Sequence, residues 1–357
     1  MTQIPIRNLY YLFCYAWARF PDQAQAVEVG VDDCPDLPNL FARVLINSAN
    51  RLMRRGLDRG YREFVEETRS PRGRMLIGEI VKRQTLLRGA VVCAFDELTP
   101  DVPHNQIIKA TALSLARARG VSAEHSHELR LIALRMSGVG DIRLTGDCFR
   151  RVQLSRNTGQ YASVLKLCEL VFRALLPEED GQGSRFAEIL EDEVTMSAVF
   201  EEFLLNFYRH EQRTFTARAE SWPWDGVSLE PGSEGLLPQM ITDITLRSRE
   251  RTIVIDAKFY KEALAASHGA KKVRSGHLYQ LLAYMEHANL RSPHLPCDGA
   301  LIYPAVGDPI ALRYRLRGHE VVVRSIDLTR EWQAIHDELL ALPFEFGGER
   351  ATQNQAA

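Results

Sequence analysis

The sequence predicts a mixed α/β chain in two parts, a small α/β sandwich in the second half preceded by a helical domain with an extended β-hairpin element. Three observations predict it. Apolar residues recur at helical spacing through most of the first 175 residues. Between 61 and 99 that pattern gives way to short β-type runs bounded by turn residues. From about 187 the chain reads helix, strand hairpin, strand, helix, strand, the order of a sheet covered by helices.

Taken in order, Leu9, Leu12, Phe13 and Ala16 place a first helix at 7–20, and Pro21-Asp22 breaks it. Leu40, Val44, Leu45, Ala49 and Met53 mark a second helix over 36–56. "REFVEETRSPRGRMLIGEIV" and "AVVCAFDELT" make the hairpin element, with Ser70-Pro71-Arg72-Gly73 as its turn. Helices follow near 105–119, 122–136 and 159–175. "LPEEDGQGS" (176–184) has the composition of an inter-domain linker. The domains are therefore expected at 1–175 and 185–345, with 346–357 a disordered tail. In the second domain a helix at 187–211 carries Met196, Phe200, Phe203, Leu204 and Phe207 on one side. Strands near 215–219, 239–247 and 251–259 precede a helix at 274–290. A strand at 299–304, a pair within 311–327 and a helix near 330–342 complete it.

Bulk composition excludes several classes. The 357 residues carry a net charge of −2, and the pI of about 6.6 gives no global signature of nucleic-acid binding. Arginine clusters only locally, at 51–62 and 69–74. The six cysteines form no C-x-x-C pair, which argues against a zinc ribbon or a dithiol redox motif. The aromatic N-terminus is interrupted by Arg7, Asn8 and Arg19 and shows neither a bilayer span nor an export signal. The expectation is a cytoplasmic protein without a membrane partner. "HGAKKV" (268–273) is not a phosphate-binding loop, so the chain is not expected to hydrolyse nucleotide by itself.

The informative stretch is "QMITDITLRSRERTIVIDAKFYK" (239–261). Asp256 and Lys258 are two residues apart and share a strand face, opposite Ile253, Ile255, Ala257 and Phe259. A hairpin centred on Arg249-Glu250 pairs 248 with 251, and by the same register 243 with 256. Asp243 and Asp256 then face each other with Cβ atoms about 4.5–5.5 Å apart, where like charges repel. Lys258 is one compensating charge. A divalent cation is a better one, because hard carboxylate oxygens suit Mg²⁺ together with water and phosphate oxygens.

An acid on the first strand, D-x-K on the second and a helix on either side resemble the PD-(D/E)xK nuclease superfamily. The proline-acid element is loosened here to "PQMITD", with Pro238 displaced. "YQLLAY" is similar to the Q-x-x-x-Y pattern of the RecB-like branch at Gln280 and Tyr284, which the resemblance implies support the site and contact DNA. Across nearly the whole chain "IPIRNLYYLFCYAW", "TDITLRS", "DAKFYK", "LYQLLAYM" and "LIYP" resemble the McrC family, nuclease subunits of McrBC methylation-dependent restriction systems. That resemblance implies a restriction-endonuclease-like fold and a Mg²⁺-dependent DNA endonuclease, with Mn²⁺ as a substitute. Asp243, Asp256 and the Ala257 carbonyl would hold metal, and Lys258 would orient water. It also implies a McrB-like hexameric AAA+ GTPase partner that recognises modified cytosine in double-stranded DNA and whose GTP hydrolysis this chain stimulates. The first domain is then the partner-binding one.

Weaker features have ordinary explanations beside functional ones. The resemblance also implies a supporting acid on the helix before the hairpin, with Glu201 and Glu202 as candidates and Glu201 preferred; the ordinary reading is a solvated residue of an amphipathic helix. In "EHSHE" His125 and His127 point about 200° apart on a helix, so one ion cannot take both, and a solvated face is expected. Trp222 and Trp224 suit base stacking or packing. The basic turn at 69–74 suits insertion into a ring-shaped partner, or simple exposure. Two other functions stay open: a non-cleaving activator of an AAA+ NTPase, and a RecB-like recombination exonuclease.

Overall fold

The computed structural model describes residues 4–18, 34–175, 192–226, 229, 233, 236–259, 264–267, 270–305 and 309–347. The chain divides into two compact units, one made of 1–35 with 187–357 and the other of 36–186. The second is thus an insertion in the first. The expected linker at 176–184 and most of the expected tail lie outside the described residues.

In the inserted unit, α2 (Leu37–Arg55) starts on an Asp36 cap whose side chain accepts from the Asn39 N–H, the ordinary device for an unpaired first-turn donor. It packs with α4 (Pro103–Leu115), α5 (Ala123–Arg135) and, beyond the short α6 (Gly146–Arg150), α7 (Ala162–Ala174). Between α2 and α4 the chain runs out into a ribbon, β1 (Gly60–Thr68), β2 (Arg74–Met75), the short helix α3 (Ile77–Lys82) and β3 (Val91–Thr99).

The expected hairpin at 61–99 is corrected in one respect. The turn at Ser70–Gly73 joins β1 to β2, but β1 pairs with β3 in antiparallel register from Gly60↔Thr99 to Thr68↔Val91. The order β1-β3-β2 puts β3 in the middle, so β2 has no access to β1. Gly73 has φ +68°, and a Cβ there would lie 2.4 Å from the Ala94 carbonyl oxygen. His125 is likewise not on a solvated face: it is buried, with Nδ1 2.9 Å from Asn39 Oδ1.

The other unit is built on a six-stranded mixed sheet of order β12-β13-β11-β8-β7-β4. Its strands are β4 (Thr216–Arg218), β7 (Ile244–Arg247), β8 (Thr252–Ala257), β11 (Cys297–Ala305), β12 (Ala311–Leu316) and β13 (His319–Asp327), while β5 (Ser221–Trp222) pairs with β6 (Met240–Ile241) and β9 (Leu264–Ser267) with β10 (Ala270–Val273) in separate ladders. Every residue of β8 is buried, because helices cover both faces. On one face Val254, Leu301, Tyr303, Val321 and Val323 pack with Leu281, Tyr284 and Met285 of α9 (Ser275–Arg291). Gly299 permits that approach: a Cβ there would come within 2.3 Å of Met285 Sδ. α8 (Glu193–Glu211) packs against β4, β7 and β8, and α10 (Trp332–Ala341) against β13.

The first helix, α1 (Ile6–Ala16), belongs here and not with the helical unit that follows it in sequence. The boundary expected from sequence is corrected accordingly. Tyr11 stacks on Trp332 at 4.4 Å, and the buried Asn8 amide donates to the carbonyls of Leu328 (2.8 Å) and Arg330 (2.7 Å). Among the described residues no helix is long and apolar enough to cross a membrane.

Candidate active site

The β7–β8 ladder pairs Ile244 with Ile255 and Arg247 with Thr252, the register expected from the charges. Continued by one residue it brings Asp243 opposite Asp256. Asp243 accepts from the Ala257 N–H through Oδ2 at 2.9 Å, which ties the acid at the start of β7 to the end of β8. Alternation puts Asp256 on the same face as Val254, towards α9. Lys258 follows, its N–H held by the Ile302 carbonyl at 2.9 Å. Its ammonium lies 2.8 Å from Asp256 Oδ1 and 3.7 Å from Asp243 Oδ2. The three expected residues therefore meet.

Their environment is dry: the side-chain exposures are 0% for Asp256, 14% for Asp243 and 12% for Lys258. Burial, then the charge of Asp243, raise the Asp256 carboxyl to about 7, and burial raises Asp243 as well. Burial opposes the Lys258 charge, but the attraction of Asp256 and Asp243 outweighs it and keeps the ammonium protonated. Glu201 approaches from α8. Burial and Asp243 raise its carboxyl, and Ser197 donates to it at 3.2 Å. Three acids thus face one lysine.

Asp256 Oδ2 is buried and has no hydrogen-bond partner among the described residues. A buried carboxylate oxygen left unpaired is costly, and excess negative charge beside it adds to the cost. A hard cation relieves both. No three His, Cys, Asp or Glu side chains form a ready metal cage among the described residues. Two carboxylates with remaining positions left to water and substrate are the usual protein share of a Mg²⁺ site. The residues present fit that ion.

Gln280 and Tyr284 lie one turn apart on α9, with Gln280 Nε2 donating to the Tyr284 hydroxyl at 2.9 Å. Burial raises the Tyr284 phenol, and the charges of Asp243, Asp256 and Lys258 also reach it. Both expected supporting residues are thus at the site. Trp222 is not a stacking platform: it is buried against His287 at 5.7 Å and donates to Glu220. Trp224 is half exposed. Sequence reasoning missed His277, whose Nδ1 lies 2.8 Å from the Tyr303 hydroxyl. The signal was available, since 277, 280 and 284 recur at helical spacing.

The chain matches the family described as McrBC 5-methylcytosine restriction system component over residues 6–304. It is 30% identical over 345 residues to the Type IV methyl-directed restriction enzyme EcoKMcrBC of Escherichia coli (strain K12), covering 96% of this chain and 98% of that protein. Its fold is similar to a chain in the refined half-complex from the tetradecameric assembly of Thermococcus gammatolerans McrB AAA+ hexamers with bound McrC. There the TM-score is 0.55 at 18% identity, over 96% of this chain and 76% of that one. Family match and full-length identity agree, and the chain belongs to the McrBC restriction family.

Proposed function

We propose that this chain is the Mg²⁺-dependent DNA-cleaving subunit of a modified-cytosine-dependent restriction complex, working with a McrB-like AAA+ GTPase whose hydrolysis it stimulates. The observation that carries the reading is the orphaned Asp256 oxygen beside Asp243 and Lys258. Asp243, Asp256 and the Ala257 carbonyl would hold the ion. Bound there, Mg²⁺ supplies a lowered pKa for water and charge neutralisation at phosphorus. Lys258, fixed by two carboxylates, orients the attacking water and offsets charge developing on the phosphate. Gln280 and Tyr284 hold the substrate side of α9, and Glu201 supports the acids.

The ribbon supports a partner-contact role. Tyr61, Val65, Met75, Ile77, Val81, Leu86 and Leu87 are at least half exposed there, an apolar surface that suits a protein partner. The relative from Thermococcus gammatolerans is bound to McrB AAA+ hexamers. The test is cleavage of methylated and unmethylated duplexes with Mg²⁺, with and without the GTPase and GTP, for wild type and Asp256→Ala. Cleavage that needs the partner, the modification and Asp256 is expected. GTPase stimulation with no Asp256-dependent cutting would identify an activator, and cutting without the partner a free exonuclease.

A further inference from the structure

The α9 stripe that carries Gln280 and Tyr284 does not end with them. One turn towards the helix start stands His277, whose ring lies 5.9 Å from that of Tyr303. Tyr303 is fully buried on β11. β8 and β11 run parallel with Ala257 paired to Ile302, and the Lys258 N–H continues that ladder. Tyr303 is therefore the cross-strand neighbour of Lys258, and the two side chains leave the sheet on one face. Burial, then the positive charges of Lys258 and Arg274, hold the His277 imidazole down at about 4. The group beside the lysine is thus uncharged at neutral pH.

We propose, building on the nuclease reading, that His277 and Tyr303 form a positioning pair for Lys258. Tyr303 stands beside Lys258 on the neighbouring strand, and its bond to His277 makes a neutral, hydrogen-bonded pair there. An acid there would draw the ammonium off Asp256; a base would compete with it for the same carboxylates. With a neutral pair at that position, Asp256 and Asp243 decide where the ammonium points.

Two measurements test this. In the metal-free chain, amine acylation followed by mass spectrometry reports how firmly Lys258 is held. Tyr303→Phe and His277→Phe should raise its labelling several-fold over wild type, and His277→Gln should not. In the assembled complex with Mg²⁺ and GTP, His277→Phe and Tyr303→Phe should lower kcat for cleavage about 10–100-fold with little change in KM for DNA, and His277→Gln should recover most of the rate. His277→Lys should be the worst variant. Stimulation of the GTPase should stay at the wild-type level throughout. Tyr303→Phe removes one oxygen and keeps the ring, so it separates positioning from core packing. Unchanged Lys258 labelling in Tyr303→Phe, or a rise in KM alone, would overturn the pair while Asp256→Ala remained inactive. If Asp256→Ala cut like wild type, the nuclease reading itself would fall.

Discussion

At the ends of β7 and β8 charge is buried in excess, whereas on the ribbon apolar surface is exposed in excess. The acid site sets Asp243, Asp256 and Glu201 against one lysine in a dry setting. Residues 60–99 hold seven Lys or Arg and six Asp or Glu, nearly balanced. Many of these are matched locally: Arg72 with Glu66, Arg74 with Glu63, Arg88 with Glu67, and Arg83 with Glu79. What the ribbon leaves unmatched is Ile77, Val81, Leu86 and Leu87. Each region is incomplete in a different way: the proposed cation would complete one, and a protein surface would cover the other.

The largest expected effect attacks the first region. On the proposed nuclease reading, Asp256→Ala or Lys258→Ala should reduce cleavage by about a thousandfold or more, since the first removes a proposed metal ligand and the second the charge that stabilises the phosphate. GTPase stimulation should persist; its loss would show that the two regions are not separable. The mirror experiment is Leu86→Glu with Leu87→Glu. It should weaken partner binding by about 2 kcal/mol or more, because anchor residues of an interface carry most of its energy. Titration of the partner with unchanged circular dichroism checks it, and undiminished affinity would move the docking surface elsewhere.

A third prediction concerns pH. The folded Asp256 carboxyl sits near 7, above its ordinary range, so the folded chain holds more protons than the unfolded chain between about 4 and 7. Without metal, stability should fall as pH rises through that window, by about 2–4 kcal/mol at most. Mg²⁺ at pH 8 should restore part of it, and Asp256→Asn should flatten the slope. A metal-free stability that climbs from pH 5 to 8 would contradict the assigned environment. Next, Gly299→Ala should cost about 1–3 kcal/mol by pushing α9 off the sheet, read in chemical denaturation. The smallest effect belongs to the ribbon's ion pairs. Arg74→Gln should change stability by less than about 0.5 kcal/mol, as expected of an exposed pair.

The same contrast explains what the sequence revealed. Asp243 and Asp256 were legible because a hairpin register is arithmetic: one turn fixes every opposing pair. Gln280 and Tyr284 were legible only through the resemblance of "YQLLAY" to the Q-x-x-x-Y pattern, since spacing alone reads as a half-buried helix face. The ribbon was only partly legible, since periodicity marks β1 and β3 but cannot show that the chain between them returns as β2 on the far side. His125 was misread because Asn39, which covers it, is 86 positions away. Tyr303 was not singled out in the sequence, and only its placement beside Lys258 suggests the role proposed for it. The assignment of α1 was hidden for the same reason: its contacts with Leu328 and Trp332 leave no mark on local pattern.

That helix has a consequence for the order in which the protein comes into being. Asn8 is made before the carbonyls it holds, which lie 320 and 322 positions later. The inserted unit, complete by 186, can close on itself long before then. The aromatic face of α1 must wait for Trp332, so the unit that carries the acid site is completed only after the inserted unit has been made.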